Sequence, residues 1–303
     1  MDDAATIEIY HEYAEVNGVR LHYARAGKGP PLFLLHGFPQ CWYEWRHQIP
    51  DLARDYEVIV PDMRGYNLSS KPDAVHSYGA WVSARDIRAL ANHLEHDTFV
   101  LIGHDWGAAT GWSFALHYPD SLSALVILST AHPALFDREL RDNPEQQQAS
   151  QYLLLCRRPD AAKTLASDDY ALLRAQLEFP FISEPDLESY VTSWSKPRAL
   201  EGMMRWYQRE GLGPPDGLTP ARGNYVPEVA SPIVNVPTLV FYGDADIYTR
   251  PGCHVGLEDY VPDLDFRNLD GASHWIAEEA PGVINVGIRE FIEANVASPT
   301  LSP

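Results

Sequence analysis

The chain has few cysteines, few cations and no long hydrophobic run, and each shortage excludes something. Its three cysteines, Cys41, Cys156 and Cys253, are odd in number and far apart. A disulfide framework is therefore not expected, and a cytoplasmic, reducing setting is. Lys and Arg total 23 against 42 Asp and Glu in 303 residues, a formal net charge of −19. A surface that acidic repels phosphate backbones and anionic lipid, so neither nucleic acid nor a membrane is an expected partner. No run of about 18 apolar residues exists, which leaves no candidate membrane span. The opening residues MDDAATIEIY lack a basic region followed by an apolar one, so no secretory signal is expected. Gly27-Lys28-Gly29-Pro30 lacks the spacing and the Ser or Thr of a phosphate loop and reads as a turn. No dinucleotide fingerprint is present, so no organic cofactor is expected. His93 and His96 could share a helix face, but no third ligand is near in sequence and no metal is expected.

What is present is a sheet pattern. Hydrophobic residues make up 45% of the chain, enough for a large core. Ile7 to Ala26 reads as two short strands turning at Asn17-Gly18. Apolar runs then alternate with amphipathic stretches. Leu32-Phe33-Leu34-Leu35, Tyr56-Glu57-Val58-Ile59-Val60, Phe99-Val100-Leu101-Ile102 and Ala124 to Leu128 read as strands. Trp42 to Ala53, Trp81 to His96 and Trp106 to His117 read as helices. Continuous apolar strands separated by helices predict a parallel sheet covered on both faces. From about 132 to 231 the alternation stops, and the chain becomes helical and rich in Tyr, Arg and Glu. Gly211 to Pro215, Pro227 and Pro232 punctuate its end. Strands resume at Thr238 to Tyr242 and Leu264 to Leu269, and a last helix covers Pro281 to Val296. The expected organisation is a core over 1–131 and 232–303, split by a helical cap over 132–231.

Four motifs fall where this scaffold would place chemistry. Gly103-His104-Asp105-Trp106-Gly107 lies between a strand and a helix. A sharp strand-to-helix turn needs small residues two before and two after its apex, and it lifts the apex side chain into a pocket. The apex here is Asp105, and the helix N-terminus behind it favours an ionised carboxylate. Gly243-Asp244-Ala245-Asp246 ends the strand after the insertion, and Gly271-Ala272-Ser273-His274-Trp275 follows the last strand. Nucleophile, acid, then histidine is an order that can build a triad. Asp246 is the favoured partner of His274 because it lies further past the strand end; Asp244 is the competing acid. His36-Gly37-Phe38-Pro39 can turn a peptide N–H into the same pocket, which with the N–H of Trp106 would make an oxyanion hole.

Over nearly its whole length the chain resembles the epoxide hydrolases of the α/β-hydrolase family. The resemblance rests on His36 to Pro39 with Trp42-Tyr43-Glu44-Trp45-Arg46, on Asp62-Met63-Arg64-Gly65-Tyr66, and on the Asp105 and His274 motifs. Asn67-Leu68 departs from the glycine usual after Gly65-Tyr66, but Asn tolerates left-handed backbone. The resemblance implies Asp105 as nucleophile, His274 as base, Asp246 as its partner, and Phe38 and Trp106 as backbone oxyanion donors. It also implies two cap tyrosines, Tyr152 in Ser150-Gln151-Tyr152 and Tyr207 in Trp206-Tyr207-Gln208-Arg209. A phenol stays protonated at neutral pH and can donate to a departing epoxide oxygen.

The implied partners are then a small-molecule epoxide and water, in a monomer or homodimer. A haloalkane or haloacetate dehalogenase is the first rival, since it would use the same triad. Against it, Phe38 stands where many haloalkane enzymes place Asn, and Trp106 where fluoroacetate enzymes place Arg. A non-catalytic receptor on the same fold is a remoter rival, given an intact triad. A serine esterase is disfavoured because no Ser occupies the apex.

Overall fold

Continuous apolar runs become strands buried on both faces. The structure is a computed structural model that describes residues 7–226 and 229–296; Pro227 lies outside the described residues. Eight strands form one sheet: β1 (Tyr10–Val16), β2 (Val19–Ala26), β3 (Pro31–Leu35), β4 (Glu57–Pro61), β5 (Phe99–His104), β6 (Leu122–Leu128), β7 (Thr238–Gly243) and β8 (Leu264–Leu269). Their order is β1-β2-β4-β3-β5-β6-β7-β8. β1 and β2 form a hairpin that meets β4 antiparallel, and β4 through β8 run parallel. The hairpin turns at Asn17 and Gly18, both with positive φ, as a two-residue turn of this twist requires.

Period-two alternation decides which core each strand residue joins. Phe33 and Leu35 face the cluster that holds Ile87, Leu90 and Trp112. Leu32 and Leu34 face the one that holds Ile49, Leu52, Ile284 and Ile288. The helices that supply these residues are α1 (Ile49–Leu52), α2 (Ala80–His93), α3 (Trp106–His117) and, after a short α10 (Ile276–Glu279), α11 (Pro281–Asn295). α2 shows why it forms: Ala80, Ala84, Ile87, Leu90 and Ala91 recur every three or four residues and are all buried. Between β6 and β7 come α4 (Pro133–Asp142), α5 (Pro144–Ala149), α6 (Tyr152–Cys156), α7 (Ala161–Gln176), α8 (Glu184–Trp194) and α9 (Ala199–Glu210). α7 is broken at Ser167–Tyr170. No helix among the described residues is long and apolar enough to cross a membrane.

Two expectations change in detail. Trp42 to Ala53 is not one helix but a 3₁₀ segment, Trp42–His47, followed by α1. Pro50 has no N–H to continue a ladder, so it sits in the first turn of a new helix. His93 and His96 do not share a helix face, because α2 ends at His93 and His96 turns back to place Nε2 3.1 Å from Glu57. Asn67 does take up positive φ, and its amide donates to Asp62 at 3.0 Å, which holds the loop without glycine.

Candidate active site

The sheet register brings the motifs to one edge. Leu35 pairs with Gly103, and His104 with Leu128, so β3, β5 and β6 end at one level. Ligands in open parallel sheets sit outside these C-terminal ends. Asp105 follows β5 with φ 50° and ψ −118°, a strained backbone for a residue with a Cβ. The glycines around it have a steric reason. A Cβ on Gly103 would strike the backbone of Gly107, and one on Gly107 would strike the carbonyl of Leu35. Only a turn this tight carries β5 straight into α3 with the Asp105 side chain at its apex.

Three chain segments converge on that carboxylate. From the loop after β3, the Phe38 N–H donates to Asp105 Oδ1 at 2.7 Å. Trp106 opens α3, where a first-turn N–H has no partner within the helix. From the loop after β8, His274 places Nε2 3.8 Å from Asp105 Oδ2, too long for a direct hydrogen bond but close for opposite charges. Asp246 Oδ2 accepts from His274 Nδ1 at 2.7 Å. Its other oxygen accepts from the N–H groups of Tyr248 and Thr249 at 2.7 and 3.0 Å. Asp246 is fully buried, whereas Asp244 is exposed and accepts from Gly271 N at 2.6 Å. The strand-end geometry thus gives the imidazole to Asp246 and the turn to Asp244.

Burial works against both charges of the central pair, and in each case the partners outweigh it. For Asp105 the charge of His274, the charge of His104 and the Phe38 N–H hold the carboxyl below its ordinary value. For His274 the charge of Asp246 and its hydrogen bond, with the charge of Asp105, push the imidazole up to about 10. The resting pair is therefore carboxylate and imidazolium.

Opposite this pair, α6 opens with Tyr152 and α9 carries Tyr207. Their rings lie 6.5 Å apart at 79°, and Tyr207 stands edge-on to Phe38 and Trp106. Both line the same cavity as Asp105 and His274. Among the described residues neither hydroxyl is hydrogen-bonded to protein, so both are free to donate into the cavity. Burial, then the charge of Asp105, raises both phenols well above their ordinary value, which keeps them protonated.

The α/β-hydrolase fold model matches residues 30–281. The AB hydrolase superfamily protein YfhM of Bacillus subtilis (strain 168) is 33% identical over 93% of this chain and 97% of its own length. The soluble epoxide hydrolase of Corynebacterium sp. (strain C12) is 31% identical, over 94% and 98%. A solved Bacillus megaterium epoxide hydrolase, in complex with an inhibitor, superposes with a TM-score of 0.87 at 32% identity, over 93% and 100%. The chain belongs to the epoxide hydrolases of the α/β-hydrolase family.

This α/β-hydrolase holds site neighbours that sequence reading passed over. Tyr248, two residues after Asp246, lies edge-on to His274 at 5.0 Å and to Tyr152 at 5.2 Å, and walls the cavity. Its place two residues past Asp246 was the signal the sequence offered. Glu44 and His104 form a buried pair at 2.7 Å. Glu44 also accepts from Gly37 N at 3.1 Å, and His104 Nε2 donates to the carbonyl of His274 at 2.9 Å. The pair thus ties the loop after β3, the turn at Asp105 and the loop of His274 together. Arg64 forms a buried ion pair with Asp86, and Trp45 is fully buried.

Proposed function

We propose that this chain hydrolyses epoxides to vicinal diols through a covalent ester on Asp105, which water activated by His274 then cleaves. The observation that carries this reading is the placement of Asp105 between two sets of groups. A charged His274–Asp246 couple stands on one side and two unengaged phenols on the other. The segment 132–231 is then a cap that supplies the phenols to a catalytic core.

In this reading the two carboxylate oxygens take different roles. Oδ1 is held by the Phe38 N–H, so Oδ2 is the oxygen free to attack. As Oδ2 bonds to an epoxide carbon, the C–O bond of the ring breaks. The departing oxygen takes a proton from Tyr152 or Tyr207, and the phenol recovers one that originates on His274. Esterification removes the charge of Asp105, which was one cause of the raised imidazole value, so His274 becomes a competent base. It takes a proton from water, and the hydroxide attacks Cγ of Asp105. Oδ1 carries the developing charge, held by the Phe38 N–H, with the Trp106 N–H as the second donor of this reading. Collapse releases the diol and restores carboxylate and imidazolium, so the proton inventory closes with water as the only co-reactant. Ser at the apex would form an ether, which this route could not hydrolyse.

Dehalogenation is the second reading. It draws on the indole Nε1 of Trp106, which is buried without a hydrogen-bond partner among the described residues and could face a halide. Two phenols suit an oxygen leaving group better, because an alkoxide must be protonated and a halide need not be. The free, buried cysteines suit a cytoplasmic setting. The test is diol formation by chromatography beside halide release by ion electrode, for the wild type, Tyr152→Phe, Tyr207→Phe and the double variant. Loss of one donor should slow diol formation by about 1–3 kcal/mol in the barrier, and loss of both by clearly more. Halide release that exceeds diol formation and persists in the double variant would replace this reading with the dehalogenase.

A further inference from the structure

Helix α2 starts without a side-chain cap of its own, because Gly79 stands at its N-cap with φ 108°. The first N–H groups of a helix need acceptors from elsewhere. One comes from across the fold. Glu210 Oε1 accepts from Ala80 N at 3.0 Å, and its carboxyl lies so close to Gly79 that a Cβ there would run into it. Glu210 is the last residue of α9, nearly one turn beyond Tyr207, and is buried. The same helix is seated by neutral contacts further back: Gly202 lies against the backbone of Gly65, and Trp206 Nε1 donates to the carbonyl of Arg64 at 3.0 Å.

Burial is the largest influence on the Glu210 carboxyl. The Ala80 N–H, Arg209 on its own helix and Arg222 on the segment that follows offset it in part, leaving an acid pushed up to about 7. The phenol of Tyr225, which lines the cavity, also feels its charge. From the α2 side the carboxyl meets Gly79 and the N–H of Ala80. If α9 lifted from α2, the carboxyl would return to water and to its ordinary 4.5. The seated helix therefore holds the proton more tightly than the lifted one. Seating is strongest where Glu210 is neutral, and its equilibrium constant falls about tenfold between pH 6 and 8.

We propose that Glu210 is a positioning residue for ring opening: it caps α2 from the far side of the domain boundary and so ties the seating of Tyr207 to its own protonation. The proposal rests on the role given above to Tyr207 as a donor to the epoxide oxygen. It makes no demand on Glu210 touching substrate.

The experiment is the single-turnover rate of ester formation with styrene oxide between pH 6 and 8, for wild type, Glu210→Gln, Tyr207→Phe and the double variant. The wild-type rate should fall across this range, by up to about tenfold, most of it below pH 7, and level off above that. Glu210→Gln, neutral at every pH, should keep the low-pH rate throughout. In the Tyr207→Phe background, Glu210→Gln should add nothing. A flat wild-type profile overturns the proposal without any variant. So does a fall near pH 7 that persists in Glu210→Gln, or an effect of Glu210→Gln undiminished in the Tyr207→Phe background. Tyr207→Phe opening the epoxide at the wild-type rate would overturn the donor role itself, and the proposal with it.

Discussion

Asp246→Asn changes no volume, yet the hydrogen-bond map around it dictates a large effect. One oxygen of Asp246 accepts from two backbone N–H groups, those of Tyr248 and Thr249. In the Asn variant that position must remain an oxygen, because an NH₂ there would face two donors. The NH₂ then falls where Oδ2 now receives His274 Nδ1 at 2.7 Å. A donor at that point forces Nδ1 to accept, which moves the imidazole proton to Nε2, the nitrogen that must take a proton from water. The variant also removes the charge that is the largest influence holding the imidazole up to about 10. Wrong tautomer and lost counter-charge together should slow ester hydrolysis on the order of 10³–10⁴-fold, about 4–5.5 kcal/mol. Attack by Asp105 needs neither feature to the same degree, so the ester should accumulate. The assay is intact-protein mass after mixing with styrene oxide, beside steady-state diol formation. Turnover within tenfold of the wild type, with no adduct mass, would refute the tautomer argument.

The remaining predictions follow from the elbow and from the charged pair. Gly107→Ala drives a Cβ into the Leu35 carbonyl, so the turn must open; we expect a loss of about 1–3 kcal/mol in denaturant unfolding together with loss of turnover, and an unchanged midpoint with full activity would count against the steric reading. His274→Gln should also trap an adduct, visible as a mass increase equal to one substrate. His274 has an ordinary value of 6.5 and a folded value of about 10. Its contribution to stability is therefore full below pH 6.5 and fades as pH rises through 10. Urea midpoints of the wild type should fall over that window, and those of His274→Gln should fall less; parallel curves would contradict the ion pair.

Much of the fold was legible because its signals are local. Leu32 to Leu35 and Phe99 to Ile102 are continuous apolar runs, and only a sheet covered on both faces buries such runs. The elbow was legible because Gly103 and Gly107 flank Asp105 at two residues on either side, although the contact that demands Gly107 comes from Leu35 on another strand. The choice of Asp246 over Asp244 needed only their distances past the strand end. What stayed hidden depends on partners far away in sequence. Glu44 and His104 are 60 positions apart, and Glu210 caps a helix that begins 130 residues earlier. Helical periodicity also gives no view of which side of a cap helix meets the core. Tyr152 and Tyr207 were therefore placed by family resemblance, and Tyr248, on a loop without periodicity, was missed.

The central claim is that Asp105 becomes the ester and donates its own oxygen to the product. A single turnover with enzyme in excess over styrene oxide, run in ¹⁸O-water, tests it directly by mass spectrometry of the diol. The account predicts an unlabelled diol, with the label entering the Asp105 carboxylate and visible in the peptide that contains Gly103 to Gly107. Label found in the diol of that first turnover, with an unlabelled Asp105, would mean that water attacks the epoxide itself and would contradict the account.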